Sequence, residues 1–91
     1  MAEARRPSYF GTICTILEVC VTGERKAHIL YWTGLKEEEL ARYLAAILEY
    51  GLLEVQEDEF RTTARGILFI QRYKALLESL NRLEDSREML I

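Results

Sequence analysis

Histidine occurs once in this chain, cysteine twice and proline once, and none of them falls into a recognisable reactive or metal-ligating spacing. There is no CxxC and no HExxH, so a structural zinc site or a zincin-type centre is not expected. Cys14 and Cys20 stand six residues apart on one predicted helix. That separation turns them roughly 120° from each other, so they are expected to be buried free thiols rather than a disulfide. Gly23 reads as a helix stop, not as part of a phosphate cradle, and His28 sits beside an apolar run with no obvious acidic orienter. With no nucleophile–base pair either, the sequence predicts no enzyme, no cofactor, no metal and no small-molecule substrate. Long hydrophobic runs are also missing: nothing approaches the roughly 18–20 apolar residues of a membrane span. The polar start MAEARRPS lacks the apolar stretch of a signal peptide. The expected location is the cytoplasm, with no membrane partner.

What is present is a soluble composition, 49% hydrophobic and 30% charged, over 91 residues, which suits one domain with a modest core. The net charge of −3 is unevenly placed. Residues 1–36 carry +2, residues 37–60 carry −7 and residues 61–91 carry +2. Separate faces with separate tasks are one consequence to look for.

Periodicity divides the chain into elements. Ser8, after Pro7, is an N-cap candidate for a helix whose apolar members are Phe10, Ile13, Leu17 and Cys20, closed by Gly23. The stretch ERKAHILYW reads as a second, short helix with Ile29, Leu30 and Trp32 as its apolar members, ended by Gly34. Two helices around a tight glycine turn form the front half of a helix-turn-helix. A third helix begins at LKEEEL, where Leu35 and Leu40 have staple spacing, Glu39 occupies the capping-box position and Lys36 is an unusual N-cap. Its glutamates at positions 37 to 39 face the positive end of the helix dipole, a contribution of roughly 0.3–1 kcal/mol each at most. Leu40, Tyr43, Leu44, Ile47 and Leu48 make its inner face, with Glu38, Arg42, Ala45 and Glu49 outside. Gly51 stops it. LLEV and EFRT then alternate as two short strands joined by QEDE. From Thr63 the chain is helical again, and Phe69, Tyr73, Leu76, Leu80, Leu83, Arg87 and Leu90 follow a 4-3-4-3 spacing, an a/d seam interrupted only by the arginine. Beside it, Ile67, Ile70 and Leu77 form a second stripe. The first turns of this helix are expected to pack on the domain and the later ones to protrude. An exposed leucine seam is expected to meet a second copy, or else to fold back on its own domain.

The fold class expected is α+β, mainly α: three helices plus a β-hairpin wing, followed by a long C-terminal helix. Residues 1–62 make the winged helix-turn-helix core with its wing, and 63–91 the dimerisation helix, in one structural unit. The segments that carry a family likeness are GERKAHILYWTGL, YLAAILEYGLLE and FRTTARGILFIQRY, the last with Phe60, Thr63 and Gly66 in an aromatic-x-x-Thr-x-x-Gly pattern. Together, in this order, they resemble the small archaeal winged helix-turn-helix DNA-binding proteins. The resemblance implies duplex DNA binding, a regulatory or chromatin-associated role, and a homodimer held by an antiparallel coiled coil of the last helices. Ala27 stands where the family commonly has threonine, and Lys36 where it has a polar cap.

The DNA-binding residues expected are Arg25, Lys26 and His28 on the second helix, Lys36, Glu37 and Arg42 on the third, and Arg61 and Arg65 flanking the wing. Lys26 and Lys36 suit phosphates. Arg42 suits a guanine edge, or alternatively pairs with Glu38 one turn away. Glu37 or Glu38 suits a cytosine amino group. Arg5 and Arg6 suit a minor-groove arm. The dimer interface expected is Phe69, Tyr73, Leu76, Leu80, Leu83, Arg87 and Leu90. The acidic third helix supports a competing reading: a dimeric winged-helix interaction module that has lost DNA and meets a basic protein partner. The two readings divide on whether the glutamates at 37–39 capture the neighbouring cations.

Overall fold

The computed structural model describes residues 9–90, with side chains through Glu84. Its elements, in order, are α1 (Tyr9–Val19), β1 (Glu24–Arg25), α2 (Lys26–Thr33), α3 (Glu37–Glu49), β2 (Leu53–Gln56), β3 (Glu59–Thr62) and α4 (Ala64–Leu90). The strands form one antiparallel sheet in the order β1-β3-β2. Pro7 and Ser8 lie outside the described residues, as do Arg5 and Arg6.

α1 is buried over more than half of its circumference, so its core contribution is wider than one stripe. Ile13, Ile16 and Leu17 are fully enclosed, joined by Thr12 and Cys14. Phe10, expected as a stripe member, is instead exposed and leans toward Phe69, with ring centroids 6.4 Å apart. The helix ends at Val19, not at Gly23, and Cys20 lies buried in the turn that follows. Gly23 adopts φ 91°, a left-handed conformation that glycine tolerates.

Two residues expected at the start of the second helix are strand instead. Glu24 and Arg25 pair with Phe60 and Glu59 of β3. A two-residue strand has no periodicity to read; its partner across space decides it. α2 is therefore shorter, and only Ile29 on it is buried. Trp32, expected to pack inward, is exposed.

α3 begins as its sequence suggests. Glu39 Oε1 accepts from the Lys36 backbone N–H at 3.1 Å, one half of a capping box. The other half is absent for a chemical reason: a lysine ammonium has no acceptor. At the far end the Leu52 N–H donates to Ile47 O at 3.1 Å and the Gly51 N–H to Leu48 O at 3.0 Å, with Gly51 at φ 76°, a Schellman motif. The hairpin is tighter than QEDE implied. Gln56 faces Glu59 across the ladder, and the two-residue turn Glu57–Asp58 has φ of 48° and 69°. Two positive angles mark a type I′ turn, which matches strand twist even without glycine.

α4 is attached by a dense set of polar contacts. Thr63 caps it: its hydroxyl accepts from the Gly66 N–H at 3.1 Å and donates to Gly51 O at 2.7 Å. Ile70 is buried and Ile67, Phe69 and Tyr73 are partly buried against the core, whereas every described side chain from Lys74 to Glu84 is exposed. The early turns thus pack on the domain, and the described side chains of the later turns, through Glu84, are exposed rather than folded back on it. Leu77, paired in expectation with the inner stripe, is exposed. The side chains of Arg87 and Leu90 lie outside the described residues.

Gly66 explains the glycine of the third motif. A Cβ there would stand 2.3 Å from Leu52 O and 2.5 Å from Thr62 Cγ2. Alanine in a helix interior is worth about 1 kcal/mol over glycine, but a backbone carbonyl at that distance cannot be displaced without moving β2. The clash should win: Gly66→Ala is expected to lower stability by about 3 kcal/mol or more in urea unfolding. An unchanged or raised midpoint would contradict this packing.

Candidate nucleic-acid interface

α3 presents an outer face opposite its buried Leu40, Leu44 and Ile47. On that face Ala41 and Ala45 are exposed, flanked by Glu38, Arg42 and Glu49. Two alanines let the helix backbone approach a groove floor closely, and their methyls suit thymine methyl groups. Sequence reasoning missed Ala41, although its position one turn before Ala45 was a sufficient signal.

The cations divide into groups. Arg25, on β1, borders a polar hollow with Gln56, Glu57 and Glu59 of the hairpin, which places it beside the wing rather than on a helix. Lys26 is the first residue of α2 and Lys36 the N-cap of α3, both exposed. Arg42 is exposed next to Tyr9, Glu39 and Tyr43. Arg61 reaches over Gly23, where its guanidinium and the Glu59 carboxylate both crowd the space a Cβ would take. Arg65 departs from expectation. Its side chain passes Gly51 and lines an apolar groove with Phe10, Leu68 and Phe69, on the α1–α4 side of the molecule.

Among the described residues, three ion pairs form, and they involve His28, Lys74 and Arg82. None engages Arg25, Lys26, Lys36, Arg42, Arg61 or Arg65. In particular, Arg42 makes no pair with Glu38, and the glutamates at 37–39 capture no neighbouring cation. Glu39 is occupied by the Lys36 backbone, and Glu37 is the first residue of α3, exposed to solvent. His28 differs: its Nδ1 lies 2.9 Å from Glu24 Oε2. The expectation of no acidic orienter is therefore corrected, because the β1 residue one turn upstream supplies it.

The thiols take no part in this surface. Both cysteines are free and buried. Burial, reinforced by Glu24, pushes the Cys20 thiol up to about 12, and burial with Glu18 raises Cys14 as well. The residue types able to bind a metal form no cluster among the described residues, and no described helix is long and apolar enough to cross a membrane.

Three helices, a helix-turn-helix at α2–α3, and a β-hairpin returning beside them define a winged-helix protein. Residues 5–85 match the winged helix-turn-helix family, and the chain belongs to it. Among solved structures, the chain superposes on Sso10a-2, a DNA-binding protein from Sulfolobus solfataricus, with a TM-score of 0.76. The two share 18% identity, and the match covers 93% of each chain. At that identity the likeness establishes the fold. No curated protein sequence matches significantly.

Proposed function

We propose that this chain binds duplex DNA selectively as a homodimer and acts in the cytoplasm as a transcriptional regulator. The observation that carries the reading is electrostatic. Among the described residues, cations at the start of α2, at the cap and outer face of α3 and on the wing strand enter no ion pair despite eight acidic residues between 37 and 60. Unpaired cations are what counterion release requires. Family membership and a structural relative described as DNA-binding support the same reading.

In this arrangement α3 enters the major groove by its N-terminal half, Arg42 reads a guanine edge, and Lys26 and Lys36 hold phosphates. Glu37 and Glu38 accept from exposed base amino groups or repel non-cognate sites. The net charge of −3 makes general coating of DNA unfavourable and selects for specific sites. The second copy is recruited through α4, whose Leu76, Leu80 and Leu83 project into solvent. Phe69 and Tyr73, half engaged by the chain's own core, form the inner end of that seam, and Arg87 and Leu90 extend it. Residues 1–62 then act as the reading head and 63–91 as the dimerisation helix.

Titrating labelled duplex DNA by fluorescence anisotropy from about 20 to 200 mM salt tests the reading, with binding expected to fall linearly on a log–log plot. Lys26→Ala with Lys36→Ala should reduce the slope by about 2 per protomer. No binding to random duplexes at low salt would transfer the acidic α3 to a basic protein partner instead. Separately, Leu76→Glu with Leu80→Glu should yield monomers by light scattering, and an unchanged mass would remove the seam from the interface.

A further inference from the structure

The outer face of α2 carries a feature that duplex recognition does not use. Ile29 is the helix's one buried residue and Leu30 packs partly beside it, while Ala27, His28, Tyr31 and Trp32 are exposed on the rest of its surface. His28, Tyr31 and Trp32 follow one another at i, i+3 and i+4, so three ring-bearing side chains occupy one strip. Tyr31 is 80% exposed and Trp32 66% exposed, the two highest values among the exposed large apolar side chains. Neither packs on the core. They touch each other edge to face, with centroids 5.6 Å apart and planes at 84°. An edge-to-face pair covers at most one of its four ring faces, so the others stay open to solvent.

We propose that this strip is a stacking platform for unpaired nucleobases, making the protein a single-stranded nucleic-acid binder in addition to its duplex role. Two observations favour this occupant. The first is charge: Arg25 and Lys26 immediately precede the strip and enter no ion pair among the described residues, and His28 is held in place by Glu24. Aromatic faces beside free cations match a strand of bases on a phosphate backbone. The second is size. The outer face of an eight-residue helix offers far less than the roughly 800 Å² per partner of a stable protein interface. A single base, by contrast, is no larger than the indole it would cover. Bases inside a duplex have both faces already stacked, so the ligand must be unpaired. The exposed Glu37 and Glu38 just beyond the turn repel phosphates, which directs the strand toward the Lys26 end.

Trp32 is the chain's one tryptophan, so its fluorescence reports on the platform directly. The full chain would be titrated with an oligothymidylate of about a dozen nucleotides, a length suited to such grooves. Parallel titrations use oligouridylate of equal length and inorganic polyphosphate. Saturable quenching by oligothymidylate, absent with polyphosphate, is the expected result. Equal quenching by oligouridylate would assign recognition to the base, and stronger quenching to base and ribose together; both support the platform. Tyr31→Ala should weaken the oligothymidylate affinity by about tenfold, and Trp32→Ala, followed by anisotropy, should do the same. Both side chains are exposed, so circular dichroism should be unchanged. Binding that leaves Trp32 fluorescence unaltered, or that survives both substitutions, would overturn the proposal. So would the absence of any oligothymidylate binding, even if duplex DNA still bound. Quenching that persists in a protein unable to bind duplex would sustain the platform while removing the duplex reading.

Discussion

The junction where β3 becomes α4 holds the rest of the molecule in place. Over the space of Thr62 to Gly66 the chain is tied both to the end of α1 and to the turn between α3 and β2. The Thr62 N–H donates to Cys20 O at 3.1 Å and its hydroxyl to Leu17 O at 2.6 Å, fixing the wing to the end of α1. The Thr63 N–H donates to Leu52 O at 3.0 Å and its hydroxyl to Gly51 O, fixing the same point to the stop of α3. Gly66 then admits the Leu52 carbonyl against the α4 backbone. Buried polar groups that leave no unsatisfied atom act as a directional clamp, whereas apolar packing alone would tolerate sliding. The position of the wing beside α3 and the launch angle of α4 both descend from this clamp.

The acidity of residues 37–60 finds its explanation in two places. Part of it is helix chemistry: the glutamates at 37–39 occupy the first turn of α3, and Glu39 also satisfies a backbone donor there. The remainder lies on α3's outer face and around the hairpin, where Glu54, Glu57 and Asp58 are exposed without ion-pair partners among the described residues. These charges lower affinity for any phosphate lattice and leave discrimination to a few well-placed contacts. Under the proposed DNA role, selective rather than general binding follows from this charge map.

Much of this architecture was legible in the sequence because its signals are local. The staple and capping glutamate of α3, the Gly51 stop and the amphipathic face from Leu40 to Leu48 are each set by neighbours within two turns. The projecting half of α4 was visible in its leucine spacing for the same reason. What escaped depends on partners distant in the chain. β1 exists only because β3 lies beside it, and His28 gains its carboxylate only because Glu24 is held in that strand. Arg65 looks like a wing residue in sequence, yet the first turn of α4 aims it into the groove beside Phe69. Trp32 was assigned inward by its hydrophobicity. Ile29 and Leu30, however, set the core-facing side of α2, and Trp32 falls roughly 110° round the helix from the middle of that side, where it meets solvent.

The central claim is that DNA meets the molecule along the start of α2, the outer face of α3 and the wing. Amide chemical-shift mapping of the labelled protein titrated with duplex DNA tests it most directly. The account predicts that shifts concentrate at Lys26, from Lys36 to Ala45 and at Arg61, leaving the projecting part of α4 unchanged. Shifts confined to α4, or none at a DNA concentration that saturates binding, would contradict it.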